Sequence, residues 1–104
     1  MSEVEIFKAL ADPTRRAVFE RLADGEKNAT ELRDGLAITQ PAMSQHLAVL
    51  RSAGLVAEQR SGRNVNYRVN PDGLARIYRW LGRYRIFWPE RVEALKHLLR
   101  EMDQ

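Results

Sequence analysis

A chain of 104 residues, 44% hydrophobic and 30% charged, is long enough for one packed domain and too apolar to be disordered. It contains no cysteine, which excludes disulfides, thiolate metal centres and thiol redox chemistry. The net charge of +3 is unevenly placed: residues 1–34 carry six Lys/Arg against eight Asp/Glu, residues 40–70 carry Arg51, Arg60, Arg63 and Arg68 against Glu58 alone, and residues 76–91 carry five Arg against Glu90.

No apolar run nears the roughly 18 residues that a membrane span requires. The start, Met-Ser-Glu-Val-Glu, is acidic and lacks the basic and apolar segments of a signal peptide. The expectation is a cytoplasmic protein with no membrane partner. Of 17 basic residues 14 are arginine, whose planar fork suits phosphates and guanine edges. A basic middle of this kind points weakly to nucleic acid.

The first helix is predicted over Glu3 to Leu10, where Ile6, Phe7 and Leu10 recur at helical spacing. Asp12 and Pro13 restart the chain as an N-cap and a first helical residue. That second helix runs to about Asp24, stops at Gly25, and turns Val18, Phe19, Leu22 and Ala23 inward. Asn28 and Glu31 have capping-box spacing and open a short helix ending near Gly35. Leu36 to Ile38 read as a tight turn. Thr39 caps the next helix, which tolerates Pro41 in its first turn and stops at Gly54. Helix, short turn and helix in this order form a helix-turn-helix.

Beyond Gly54 the period changes. A strand to about Arg60, a turn at Ser61 to Arg63, and alternation of Val65, Tyr67 and Val69 with polar residues predict a two-stranded hairpin with a basic tip. Asn70, Pro71 and Asp72 start a long helical region. Pro89 should kink or break it near Phe87–Pro89. The fold class is mainly α with a small β-hairpin: a winged helix-turn-helix of five to six helices and a two-stranded wing. We expect a single domain over residues 1–104, with the helix-turn-helix and wing in 1–70 and further helices in 71–104.

On a helix of 3.6 residues per turn, Met43, Leu47 and Leu50 share one face. Pro41, Ser44, Gln45, Ala48 and Ser52 then point outward, leaving a small, uncharged face where a solvated helix usually carries Lys and Glu. Small side chains let a helix approach the floor of the DNA major groove, and Gln45 can pair with adenine. Gln40 reaches the same floor from the side. Either of these residues can instead serve locally, as a cap or a backbone partner. The hairpin adds Arg60, Arg63 and Asn64, read as contacts to phosphates or the minor groove, or as charges that keep a strand edge soluble. Arg15 and Arg16 fit a phosphate contact or an ion pair with Asp12 equally well. His46, at the margin of the buried face, is expected to make a structural hydrogen bond between helices.

Three segments resemble one known family. Phe7 to Arg16 (FKALADPTRR), Thr39 to Leu47 (TQPAMSQHL) and Leu50 to Val56 (LRSAGLV) are similar to the arsenical-resistance repressor (ArsR) family, and the resemblance covers residues 5 to about 70. It implies a winged helix-turn-helix homodimer that binds palindromic duplex DNA, most often as a repressor. By that resemblance Gln40, Pro41, Ser44 and Gln45 fall at base- and backbone-contacting positions, and the first and last helices pair across the dimer. Many members sense metal through a pair of cysteines, and the matching positions here are Asn28 and Thr30. A second metal site of the family lies on the C-terminal helix, where this chain offers only His97 with Glu93 and Glu101. A surface ion-pair ladder is the favoured reading of those three. No metal ligands and no cofactor are therefore expected, and the effector is unknown.

Five of the eight aromatic residues fall within residues 78–88, a density beyond what covers a small wing and one enriched at interfaces. Ile6, Phe7, Leu10, Trp80, Tyr84, Phe87 and Trp88 are the expected dimer contacts. Ser44 and His46 are two apart on a helix and do not face each other, and no other nucleophile, acid/base pair or phosphate loop appears. An enzyme is not expected. Two alternatives stay open: a winged-helix module that binds protein, and a non-thiol metal-responsive regulator.

Overall fold

In the computed structural model, which describes residues 3–102 and only the backbone of residues 90–95, the chain folds in the order its caps dictate. Helix α1 spans Glu3–Ala11, with Glu3 and Glu5 in the first turn and Lys8 in the last, charges that complement the helix dipole. The Asp12 carboxylate accepts a hydrogen bond from the Arg15 backbone N–H at 2.9 Å and starts α2, Pro13–Leu22. Arg15 then bends back, its Nε donating to the Ala9 carbonyl at 2.6 Å. One arginine thus satisfies an orphan carbonyl at the end of α1 while its backbone is held at the start of α2.

Strand β1, Lys27–Asn28, precedes α3, Ala29–Arg33. Asn28 accepts from the Glu31 N–H at 2.8 Å, and Glu31 accepts from the Asn28 N–H at 3.0 Å, completing the capping box. Thr39 caps α4, Gln40–Ser52, through the Ala42 N–H at 3.2 Å. At its far end Leu55 N–H donates to the Leu50 carbonyl and Gly54 N–H to that of Arg51, both at 3.0 Å. These are the two bonds of a Schellman motif, and it needs the left-handed backbone that Gly54 adopts at φ +80°.

Strands β2, Val56–Ser61, and β3, Asn64–Val69, pair antiparallel from Val56↔Val69 to Ser61↔Asn64. The turn is two residues, and Gly62 at φ +62° occupies its first position, the glycine requirement of a type II′ hairpin. The wing is a three-stranded sheet rather than the expected two-stranded one. β1 adds to the outer side of β3 through Lys27↔Tyr67 and Asn28↔Asn66, giving the order β1-β3-β2. A two-residue strand shows no alternation, so only its pairing reveals it.

Helix α5 covers Pro71–Gly82, capped by Asn70 through the Asp72 N–H at 3.1 Å. Its first turn docks on the α4–β2 corner, with the Asn70 N–H donating to the Leu55 carbonyl at 2.9 Å. Gly73 is buried there: a Cβ on it would stand 2.5 Å from the Gly54 carbonyl oxygen. The break in the C-terminal region is longer than expected. It begins after Gly82, passes through a 3-10 turn at Arg85–Phe87, and ends with Trp88 extended at φ −70°, ψ 142° before Pro89. The residue before a proline avoids helical angles, and α6, Glu90–Met102, starts after it.

The core lies between α1 to α4 and the sheet. Ile6, Val18, Leu32, Met43, Leu50 and Leu55 are each fully buried. Among the described residues no helix is long and apolar enough to cross a membrane.

Candidate nucleic-acid interface

Helix α4 buries Met43, Leu47 and Leu50, as its periodicity requires. Gln40, Pro41, Ser44, Gln45, Ala48 and Ser52 are all exposed, so the small, uncharged face is on the surface. Two depressions flank it. On one side a groove of about 510 Å³ separates α4 from α1, with Gln45, Ala48 and Ser52 on one wall and Glu5, Lys8 and Arg15 on the other. On the other side a notch of about 230 Å³ lies between α4 and the wing, lined by Ser44, Ala48, Arg51, Glu58, Arg60 and Tyr67. Ala48 borders both, and α4 stands as a ridge between them.

Arg60 joins Ser44 in the notch, while Arg63 and Asn64 sit exposed at the hairpin tip. Arg60 also approaches the Glu58 carboxylate at 3.6 Å, and Arg51 meets the same carboxylate at 2.6 Å. Sequence reasoning passed over Arg51, Glu58 and Tyr67. Strand parity held the signal, since Val56, Glu58 and Arg60 project from one face of β2 and Val56 is a core residue. Lys8 and Glu5 were missed because nothing local brings α1 beside α4.

The two open readings of Arg15 and Arg16 resolve into neither. Arg15 caps α1, and Arg16 pairs loosely with Glu20 at 3.9 Å. His46 does not make the expected bond between helices: its Nδ1 is buried with no hydrogen-bond partner. It faces the Asp12 neighbourhood instead. The Asp12 carboxyl is held below the usual carboxylate range, chiefly by the Arg15 backbone N–H and further by the charges of His46 and Arg15.

The expected dimer residues divide. Ile6 is 0% exposed inside the protomer's own core, which removes it from any outward contact. It sits one residue from Phe7 on α1, and helical geometry turns the two to different sides. Leu10 is partly buried against the same core. Phe7 packs edge-on to Trp80, and Trp80 on Tyr84, each at 4.9 Å between ring centroids. This stack joins α1 to α5 and leaves Phe7 and Tyr84 partly exposed. Phe87 is 80% exposed, and Trp88 lies under the Lys96 ammonium at 3.5 Å. His97 pairs with Glu101 at 3.0 Å, one rung of the expected ladder. Glu93 lies outside the described side chains, and no group of three metal-binding side chains occurs among the described residues.

A three-helix core, a recognition helix with a bare outer face and a β-wing beside it define a winged helix-turn-helix regulator. Residues 10–59 match the helix-turn-helix domain family model. The chain is 41% identical to the HTH-type transcriptional regulator Rv2034 of Mycobacterium tuberculosis, over 89% of this chain and 84% of that protein. It is 44% identical to the HTH-type transcriptional repressor SmtB of Mycobacterium tuberculosis, over 70% of this chain and 54% of that protein. Its fold matches the crystal structure of the ArsR family transcriptional regulator RHA00566 with a TM-score of 0.74 at 29% identity, over 85% of this chain and 96% of that one. The chain belongs to the ArsR family of helix-turn-helix transcriptional regulators. It is a DNA-binding regulator, and its family is not one of enzymes.

Proposed function

We propose that the protein is a repressor that binds an inverted-repeat operator as a homodimer, and acts in the cytoplasm. The observation that carries this is the exposed ridge of α4, small and uncharged, flanked on both sides by basic side chains. Such a ridge enters the major groove, about 12 Å wide, with its neighbours against the phosphate rails. Gln45 reads adenine, Gln40, Pro41 and Ser44 contact bases and backbone near the helix start, and Arg60, Arg63 and Asn64 hold the backbone from the wing. The dimer is formed by α1 with the helices of residues 71–104, through Phe7, Tyr84 and Phe87 at its surface, with Leu10, Trp80 and Trp88 behind them. Its two ridges meet successive major grooves about 34 Å apart.

In vitro selection of bound duplexes tests this. The expected product is an inverted repeat with half-sites about one helical turn apart. Gln45→Ala should then cost about 1–3 kcal/mol and relax preference at one position per half-site. A selection that returns no symmetric sequence, or one that Gln45→Ala leaves unchanged, defeats the assignment.

A further inference from the structure

Residues 40–70 hold four arginines and one carboxylate, that of Glu58. The Glu58 side chain is 21% exposed, beneath Arg51 at 52% and Arg60 at 74%. Its oxygens are divided between them: Oε2 accepts from Arg51 Nη1 at 2.6 Å, and Oε1 lies 3.6 Å from Arg60 Nε. The three residues come from the last turn of α4 and from β2, and they close one wall of the notch beside Ser44.

Ion pairs as exposed as these add little to folding stability, so their consequence lies in what else the two arginines would bind. Non-specific affinity for DNA is built almost wholly from cation–phosphate contacts. A guanidinium engaged by a carboxylate is withheld from such contacts, and the carboxylate repels an approaching phosphate. We propose that Glu58 is a specificity-determining residue: it restrains non-specific DNA binding by holding Arg51 and Arg60 until α4 is fully seated in a matching groove. A seated helix of about 10–12 Å diameter fills a major groove of about 12 Å, which brings a phosphate rail against the notch. At that contact distance the phosphate takes the arginines from Glu58. In a non-specific complex α4 stands off the groove floor, and the arginines stay where the structure has them. This deepens the reading above and rests on α4 entering the major groove.

The test is binding to a random-sequence duplex over a salt series, for wild type and for Glu58→Gln. The variant should bind several-fold more tightly, and its log–log salt slope should steepen by about 0.9 for each phosphate gained. Unchanged or weaker binding at an unchanged slope, in a variant whose thermal melt matches wild type, overturns the proposal. Should Glu58→Gln not fold, Arg51→Gln carries the test. It should weaken a duplex recovered by selection by a larger factor than it weakens the random duplex, and equal losses on both overturn the proposal. A selection that recovers no preferred sequence defeats the operator reading instead. The random-duplex comparison of wild type with Glu58→Gln still decides the role of Glu58 in that case.

Discussion

The two halves of the molecule handle their apolar residues in opposite ways. Every fully buried apolar side chain among the described residues lies between Ile6 and Val56. Of the eleven large hydrophobics left exposed, nine lie at or beyond Leu74. The first half folds inward and leaves its polar and small faces outside. The second presents Tyr78, Leu81, Tyr84, Ile86 and Phe87 at its surface, more exposed apolar area than a lone protomer usually tolerates. The difference separates what makes the fold from what is available to a partner. It also accounts for the elongated shape, 45 × 29 × 26 Å with a radius of gyration of 16.2 Å, where a compact chain of this length has about 13 Å.

Substitutions in the two halves should therefore fail differently. Leu50→Ala, at 0% exposed under the recognition helix, should cost about 2–5 kcal/mol, read as a lower midpoint in urea. Gly73→Ala tests the seam between the halves. Alanine favours a helix over glycine by about 1 kcal/mol, but the new methyl meets backbone at 2.5 Å, which cannot rotate away. A net loss of about 1–3 kcal/mol is expected, and a gain in stability would show that α5 is free to shift from the α4–β2 corner.

Phe87→Ser should leave the unfolding of the protomer nearly unchanged and move the particle from dimer toward monomer in sedimentation. A dimer of unaltered strength would place Phe87 outside the interface. Arg63→Ala, at the wing tip, should lower affinity for all duplexes alike and flatten the salt slope by about 0.9.

The smallest effect is at Asp12. Its folded pKa is lowered, so the stability it contributes is present above the unfolded value of about 3.9 and fades as pH falls through the lower folded value. Asp12→Asn should blunt that part of the acid unfolding curve, and an identical curve would show that the Arg15 N–H bond is not what the carboxylate's charge supports.

Much of this arrangement was legible without coordinates. The caps at Asp12, Asn28, Thr39 and Asn70 each close a hydrogen bond within three residues. The buried and bare faces of α4 follow from helical periodicity, so Ser44 and Gln45 could be assigned to its outer face from the chain alone. The extended backbone at Trp88 follows from Pro89. The residues around that face were another matter. Arg51, Glu58 and Tyr67 are brought together by a helix end, one strand and its partner, and the place of Lys8 depends on how α1 lies beside α4.

By itself the sequence determined whatever is decided among near neighbours: where helices start and stop, which way each face points, and the requirement for glycine in the Gly62 turn. Only the tertiary structure decided the rest. It paired Lys27 and Asn28 with β3, buried Ile6 while leaving Phe7 to stack on Trp80, and put two arginines on one carboxylate. Bonds across three residues depend on local backbone angles, whereas contacts between distant segments depend on the simultaneous placement of every element between them.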